Sequence, residues 1–172
     1  MKKHLLAAAI TVLAAGSALA QANDTLAQIK SSGAVTLGVR ESSGLGYTLG
    51  SGKYVGFHTE MGERILADIQ KQLGLAKMEI KYQPVTSQNR IPLVVNGTVD
   101  IECGSTTNNM ARQKDVAFAY TTYVEEVRIA VNAKSGITGI KDLNGKTIVT
   151  TTGTTSVQTL RKNKRRNAGT SL

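Results

Sequence analysis

Three stretches of this chain carry side chains suited to holding an anion. Arg40 stands at the end of a predicted strand, Ala34 to Val39. Ser87 and Arg90 sit three residues apart on a predicted helix, a spacing that puts a hydroxyl and a guanidinium on one face. Gly153-Thr154-Thr155 opens another predicted helix, whose unpaired N–H groups form a natural carboxylate site. The plain alternative for Thr154 and Thr155 is N-capping, which uses one donor and leaves binding open. Arginine offers a planar two-pronged donor that lysine does not match, although a lone arginine is more often a surface ion partner. Arg, Ser and Thr hold anions and do not exchange protons at neutral pH, so the pattern points to binding and away from acid–base catalysis. His4 and His58 are isolated, and the sequence shows no Ser–His pairing, metal-ligand cluster or phosphate loop. No cofactor and no metal are expected.

The elements that must position these residues alternate. Asp24 to Lys30 reads as a short helix with Leu26 and Ile29 on one face, followed by the strand Ala34 to Val39. Ser42 to Lys53, rich in Gly and Ser, reads as a loop or turn. Phe57 to Leu73 carries Met61, Ile65, Leu66, Ile69 and Leu73 at helical spacing, and Gly74 stops it. A second strand, Met78 to Pro84, precedes a helix from Ser87 to Asn96 with Ser87 as its opener and Pro92 near the first turn. A third strand is expected at Val99 to Cys103, then a polar loop from Gly104 to Asn109. Further strands are expected at Val116 to Tyr120, Val127 to Asn132 and Lys146 to Thr151, and a helix starts at Thr154. Strand–helix alternation indicates a parallel α/β sheet, in which ligands sit beyond the carboxyl ends of the strands. Arg40, Ser87 and the 104–109 loop all follow strands and converge on one rim.

The first twenty residues read as a secretory signal: basic Lys2, Lys3 and His4, an apolar run from Leu5 to Ala15, and an A-x-A cleavage site ending at Ala20. The mature product is expected in the periplasm. The formal charge of +9 is uneven: Lys2 and Lys3 lie in the leader, and Arg161, Lys162, Lys164, Arg165 and Arg166 lie in the last twelve residues, which leaves +2 for the body. A basic tail without interleaved aromatics is a poor nucleic-acid signature, so no nucleic-acid partner is expected. Cys103, the single cysteine, reads as a small buried side chain or, in an oxidising compartment, as a thiol lacking a partner.

The segment TSQNRIPLVVNGTVDIECGSTTNNMARQKDVAFAYTTY, Thr86 to Tyr123, resembles the glutamate/aspartate-binding branch of the periplasmic amino-acid-binding proteins, solute-binding protein family 3. RESS at Arg40 to Ser43 and TTGTTS at Thr151 to Ser156 belong to the same pattern. The resemblance implies an α/β periplasmic-binding-protein type II fold of two lobes that close over a ligand. Lobe one occupies residues 21–124 and is nearly complete. Lobe two is only begun, over residues 125–160, and should be loosely ordered. Residues 161–172 are expected to be an off-pattern basic tail, so that the chain reads as C-terminally truncated.

The resemblance also implies site roles. Arg112, with the Ser105 and Thr107 hydroxyls, takes the ligand's α-carboxylate; Arg40, Ser87 and Arg90 take the side-chain carboxylate; Thr154 and Thr155 contribute from lobe two. The acid that receives the ammonium is carried over to no residue here. Glu102 adjoins the loop, on a strand whose alternation would point it away. The implied function is extracytoplasmic capture of L-glutamate or L-aspartate by a monomer, for delivery to the membrane permease of an ABC transporter. The alternatives are a non-functional remnant of such a protein, or an enzyme on the same fold.

Overall fold

The computed structural model describes residues 24–166. The predicted signal peptide and the last residues of the predicted tail lie outside that range. Helix α1 (Thr25–Ser32) is capped by the Asp24 carboxylate, which accepts from the Ala27 N–H at 3.1 Å. Ile29 is buried beneath the helix, whereas Leu26 is exposed, so only one of the two predicted apolar positions faces the core.

Strand β1 (Ala34–Val39) follows at once. The segment expected to be a loop is instead a small antiparallel meander of β2 (Ser42–Ser43), β3 (Gly46–Gly50) and β4 (Lys53–Val55). Its alternation is hidden by glycine and serine, which make poor strand signals although their backbones pair normally. Helix α2 (Phe57–Gln72) then lays His58, Thr59, Gly62 and Leu66 against the sheet. Strand β5 (Glu79–Pro84), helix α3 (Arg90–Val95) and the two-residue β6 (Ile101–Glu102) complete the unit.

The main sheet has the order β5-β1-β6, and both pairings are parallel. β1 is therefore central and feeds its carboxyl end, Arg40, onto the rim between its neighbours. Ile29, Val35, Leu37, Val39, Leu66, Met78 and Cys103 form one buried cluster between this sheet and helices α1 and α2. The register is fixed from the side by Asp100, whose carboxylate accepts from the Thr36 N–H at 2.7 Å. Burial pushes the Cys103 thiol up to about 11, with the Glu102 charge adding to the shift. Cys103 thus behaves as a small core side chain, packed 3.1 Å from where a Cβ on Gly62 would sit.

Helix α3 begins later than predicted, and Ser87 does not open it. Its N-cap is Asn89, with no side-chain cap. In the turn before it the Thr86 hydroxyl accepts from the Asn89 N–H at 3.2 Å while the Asn89 side chain accepts from the Thr86 N–H at 2.7 Å, a reciprocal pair that closes the turn leading into the helix.

Beyond residue 115 the chain changes character. None of the strands expected at Val116 to Tyr120, Val127 to Asn132 and Lys146 to Thr151 forms; these segments belong to no sheet. A strand needs a paired neighbour to satisfy its N–H and C=O groups, and among the described residues nothing pairs with them. Their apolar side chains accordingly stand in the open, with Tyr120 97% and Val149 92% exposed. Short 3-10 turns at Arg112–Lys114 and Ile140–Leu143 punctuate the region. Helix α4 (Thr155–Arg166) closes it, and the basic residues from Arg161 to Arg166 continue this helix. Amide hydrogen exchange is expected to divide at this boundary. β1 amides should be protected, and amides of 116–133 and 146–151 should exchange at least about a hundredfold faster, for want of ladder bonds. Equal protection in mass-spectrometric exchange would show that these segments are paired in solution.

Candidate ligand-binding site

Arg90 feels the charges of both Arg112 and Arg40. Burial lowers the Arg90 guanidinium to about 10; Glu102 opposes that shift, and Arg112 and Arg40 add to it. Arg112 is also lowered by burial and supported by Glu102.

Each arginine is held by neutral acceptors. Arg40 donates through Nη1 to the Val85 carbonyl at 2.7 Å, across the rim from β1 to the end of β5. Arg90 is only 3% exposed, and its Nη1 approaches the Ser105 hydroxyl at 3.4 Å. Arg112 donates through Nη1 to the Thr107 carbonyl at 2.9 Å and through Nη2 to the Gly153 carbonyl at 3.1 Å. Its backbone N–H is fixed by the Asn109 side chain at 3.0 Å. Among the described residues the ion pairs are Lys71–Asp68 and Arg128–Glu126, both on the surface. The three rim guanidiniums therefore have no carboxylate in direct contact, and the buried Nε atoms of Arg40 and Arg90 have no hydrogen-bond partner.

The segment before α4 packs directly on the start of α3. Gly153, at φ 75°, brings its Cα face so close that a Cβ there would meet the Gln88 Cα at 2.6 Å. Both the left-handed backbone and the missing side chain are required at that point. Thr152 adds a hydroxyl contact to the Gln88 side chain at 3.2 Å. Thr154 sits at the helix start: its hydroxyl donates to the Thr151 carbonyl at 2.8 Å and accepts from the Val157 N–H at 3.4 Å. Capping is thus one role of Thr154. Thr155, the first residue of α4, is half-buried with no hydrogen bond from its side chain.

The predicted site residues therefore fall into linked groups. Arg90 meets Ser105; Arg112 spans the Thr107 and Gly153 carbonyls; Ser87, nearly buried, backs onto Gly153. Arg40 joins through its position on the rim. Among the described residues no hydrogen bond joins Thr155 to the arginines. Glu102, expected to face away, instead faces the loop: it accepts from the Thr106 hydroxyl at 2.7 Å and acts on both Arg90 and Arg112. Strand alternation misplaced it because β6 ends at Glu102 itself, where the chain turns into the loop. His58 was also passed over as isolated. It is buried, its Nε2 lies 3.4 Å from the Thr122 hydroxyl, and its Nδ1 has no partner. Gln88 and Thr152 carried no sequence signal, because their contact joins segments far apart in the chain.

Residues 35–168 match the family described as bacterial extracellular solute-binding proteins, family 3. The chain belongs to that family. Its match runs through the basic residues of α4, beyond the point at which the sequence reading placed the end of the family pattern. An L-glutamate/L-aspartate-binding protein of Pseudomonas aeruginosa is 44% identical over 139 residues, which cover 80% of this chain and 46% of that protein. A glutamate/aspartate import solute-binding protein of Escherichia coli is 41% identical over 164 residues, covering 91% of this chain and 54% of that protein. This solute-binding chain spans about half the length of the curated relatives it matches. Among solved structures, a cysteine-binding protein from Campylobacter jejuni superposes with a TM-score of 0.66 at 23% identity, over 82% of this chain and 56% of that one. The solute receptor for L-cysteine of Neisseria gonorrhoeae gives 0.64 at 22%, over 80% and 55%. At such identities the likeness speaks for the type II periplasmic-binding fold alone.

Proposed function

We propose that this solute-binding protein captures an acidic amino acid, L-glutamate or L-aspartate, outside the cytoplasm and presents it to the permease of an ABC transporter, without catalysis. The observation that carries the reading is the convergence of three guanidiniums with no carboxylate in contact. Two carboxylates of one small ligand match that demand better than a single one would. Arg112, with Ser105 and Thr107, takes the α-carboxylate. Arg40, Ser87 and Arg90 take the side-chain carboxylate, and Thr154 and Thr155 supply donors from the start of α4. The lobe-one side is residues 21–124, and the segment from 125 onward belongs to the opposing lobe. The names of the most similar relatives support glutamate and aspartate as the ligands. The binding unit is proposed to be a monomer.

The test is calorimetric titration with L-glutamate, L-aspartate and L-glutamine. Arg90→Ala and Arg40→Ala are expected to weaken the two acidic ligands at least about tenfold more than glutamine, since glutamine lacks the second charge. Equal losses for glutamate and glutamine would remove Arg40 and Arg90 from the side-chain pocket. Export is checked separately. N-terminal sequencing of extracytoplasmic material should begin at Gln21, and a retained leader there would refute the cleavage site.

A further inference from the structure

Glu102 is the acid whose charge acts on both Arg90 and Arg112, and its surroundings are unusual. One carboxylate oxygen, Oε2, accepts from the Thr106 hydroxyl at 2.7 Å. The other, Oε1, is buried and has no donor. It packs against Gly104, at a place where a Cβ would meet both Glu102 and the Arg40 Cγ, the latter at 2.9 Å. The same charge acts favourably on Arg90 and Arg112 without touching either as an ion pair. A carboxylate oxygen is seldom buried without a donor, and here the compensation comes at a distance from guanidiniums held by other acceptors.

We propose that Glu102 is a built-in counter-ion of the anion site, a positioning residue that steadies Arg90 and Arg112 and competes electrostatically with an arriving carboxylate. The inference rests on the reading of this rim as an anion cradle. Its consequence runs opposite to that of an ordinary ligand contact. Like charges of Arg40, Arg90 and Arg112 repel, and Glu102 relieves that repulsion when no anion is added. An anion that binds relieves it too, but is itself repelled by Glu102. Removing the negative charge should therefore destabilise the ligand-free protein and tighten anion binding together.

The experiment compares wild type, Glu102→Gln and Thr106→Val by thermal denaturation at constant ionic strength, titrating in sulfate and, separately, L-glutamate. Glu102→Gln is expected to melt lower without added anion. It should then be stabilised more steeply by sulfate, with an apparent affinity roughly tenfold tighter, the scale of one charge–charge contact in a partly solvated site. Thr106→Val removes the hydrogen bond and keeps the charge, so its sulfate response should stay near wild type. In NMR the His58 imidazole, which Glu102 holds up against the lowering effect of burial, should titrate at lower pH in Glu102→Gln. If Glu102→Gln fails to fold alone, sulfate is expected to restore folding, and failure to restore it overturns the proposal. An equal or weaker sulfate response in Glu102→Gln, or the same response in Thr106→Val, also overturns it. A stronger sulfate response with no glutamate effect in any protein would keep the counter-ion and defeat the acidic-amino-acid reading instead.

Discussion

Arg112→Ala is expected to lower affinity for L-glutamate by about 2–5 kcal/mol, a loss of 30-fold or more in the dissociation constant. The side chain does two things that no neighbour duplicates. Its fork closes the 104–109 loop through the Thr107 carbonyl and reaches the Gly153 carbonyl before α4, so it ties two distant segments together. In the proposed site it would also supply the paired donors that a carboxylate takes edge-on. Alanine leaves the Thr107 and Gly153 carbonyls without that donor and the ligand's charge without a cation. Arg112→Lys separates the contributions: it restores charge without the fork, and should recover a minority of the lost affinity. Stability should suffer much less than binding, because the guanidinium is only half-buried. Calorimetry on all three proteins, with melting temperatures alongside, decides the matter. Full recovery by lysine would mean that charge alone is recognised.

The second large effect lies in the core. Leu37→Ala is expected to cost about 3–5 kcal/mol of folding stability, enough to leave much of the protein unfolded at growth temperature. Leu37 is 0% exposed at the middle of the central strand, paired with Tyr82 on one side and Ile101 on the other. Its Cδ1 lies 3.1 Å from the Cβ position of Gly62 on α2. The glycine lets helix and strand approach so closely that little can move in to fill the space a shortened residue 37 would leave. Leu26→Ala, on the exposed side of α1, should cost under about 0.5 kcal/mol. Urea denaturation followed by circular dichroism distinguishes them, and similar midpoints would show that the core has been placed wrongly.

Local signals accounted for much of the first half of the chain. β1 and α2 were legible in type, but not in their buried faces: β1 is buried on both sides at its end, and α2 buries His58, Thr59 and Gly62 beside Leu66 while Ile65 is exposed. The start of α3 was placed too early at Ser87: the helix begins at Arg90, and the reciprocal Thr86–Asn89 pair closes a turn ahead of it. The Gly- and Ser-rich meander after Arg40 escaped notice because its pairing is made by the backbone, with little side-chain pattern to read. After residue 115 the alternation was present but the strands were not. Alternation records which side chains favour a sheet, while a sheet exists only where a second strand satisfies the backbone.

The site divides along the same line. Residue types alone marked Arg, Ser and Thr as a candidate anion-holding set, because charge and donor number belong to the side chain wherever it is placed. The tertiary structure decided which of those groups meet. Arg90 reaches Ser105, Arg112 reaches Gly153, and Glu102 turns toward the arginines. These contacts join segments up to 41 residues apart, and the close packing of Gly153 on Gln88 holds the last of them in register. No local pattern encodes the pairings of Arg90 with Ser105 and of Arg112 with Gly153, since each depends on how segments distant in the chain pack together.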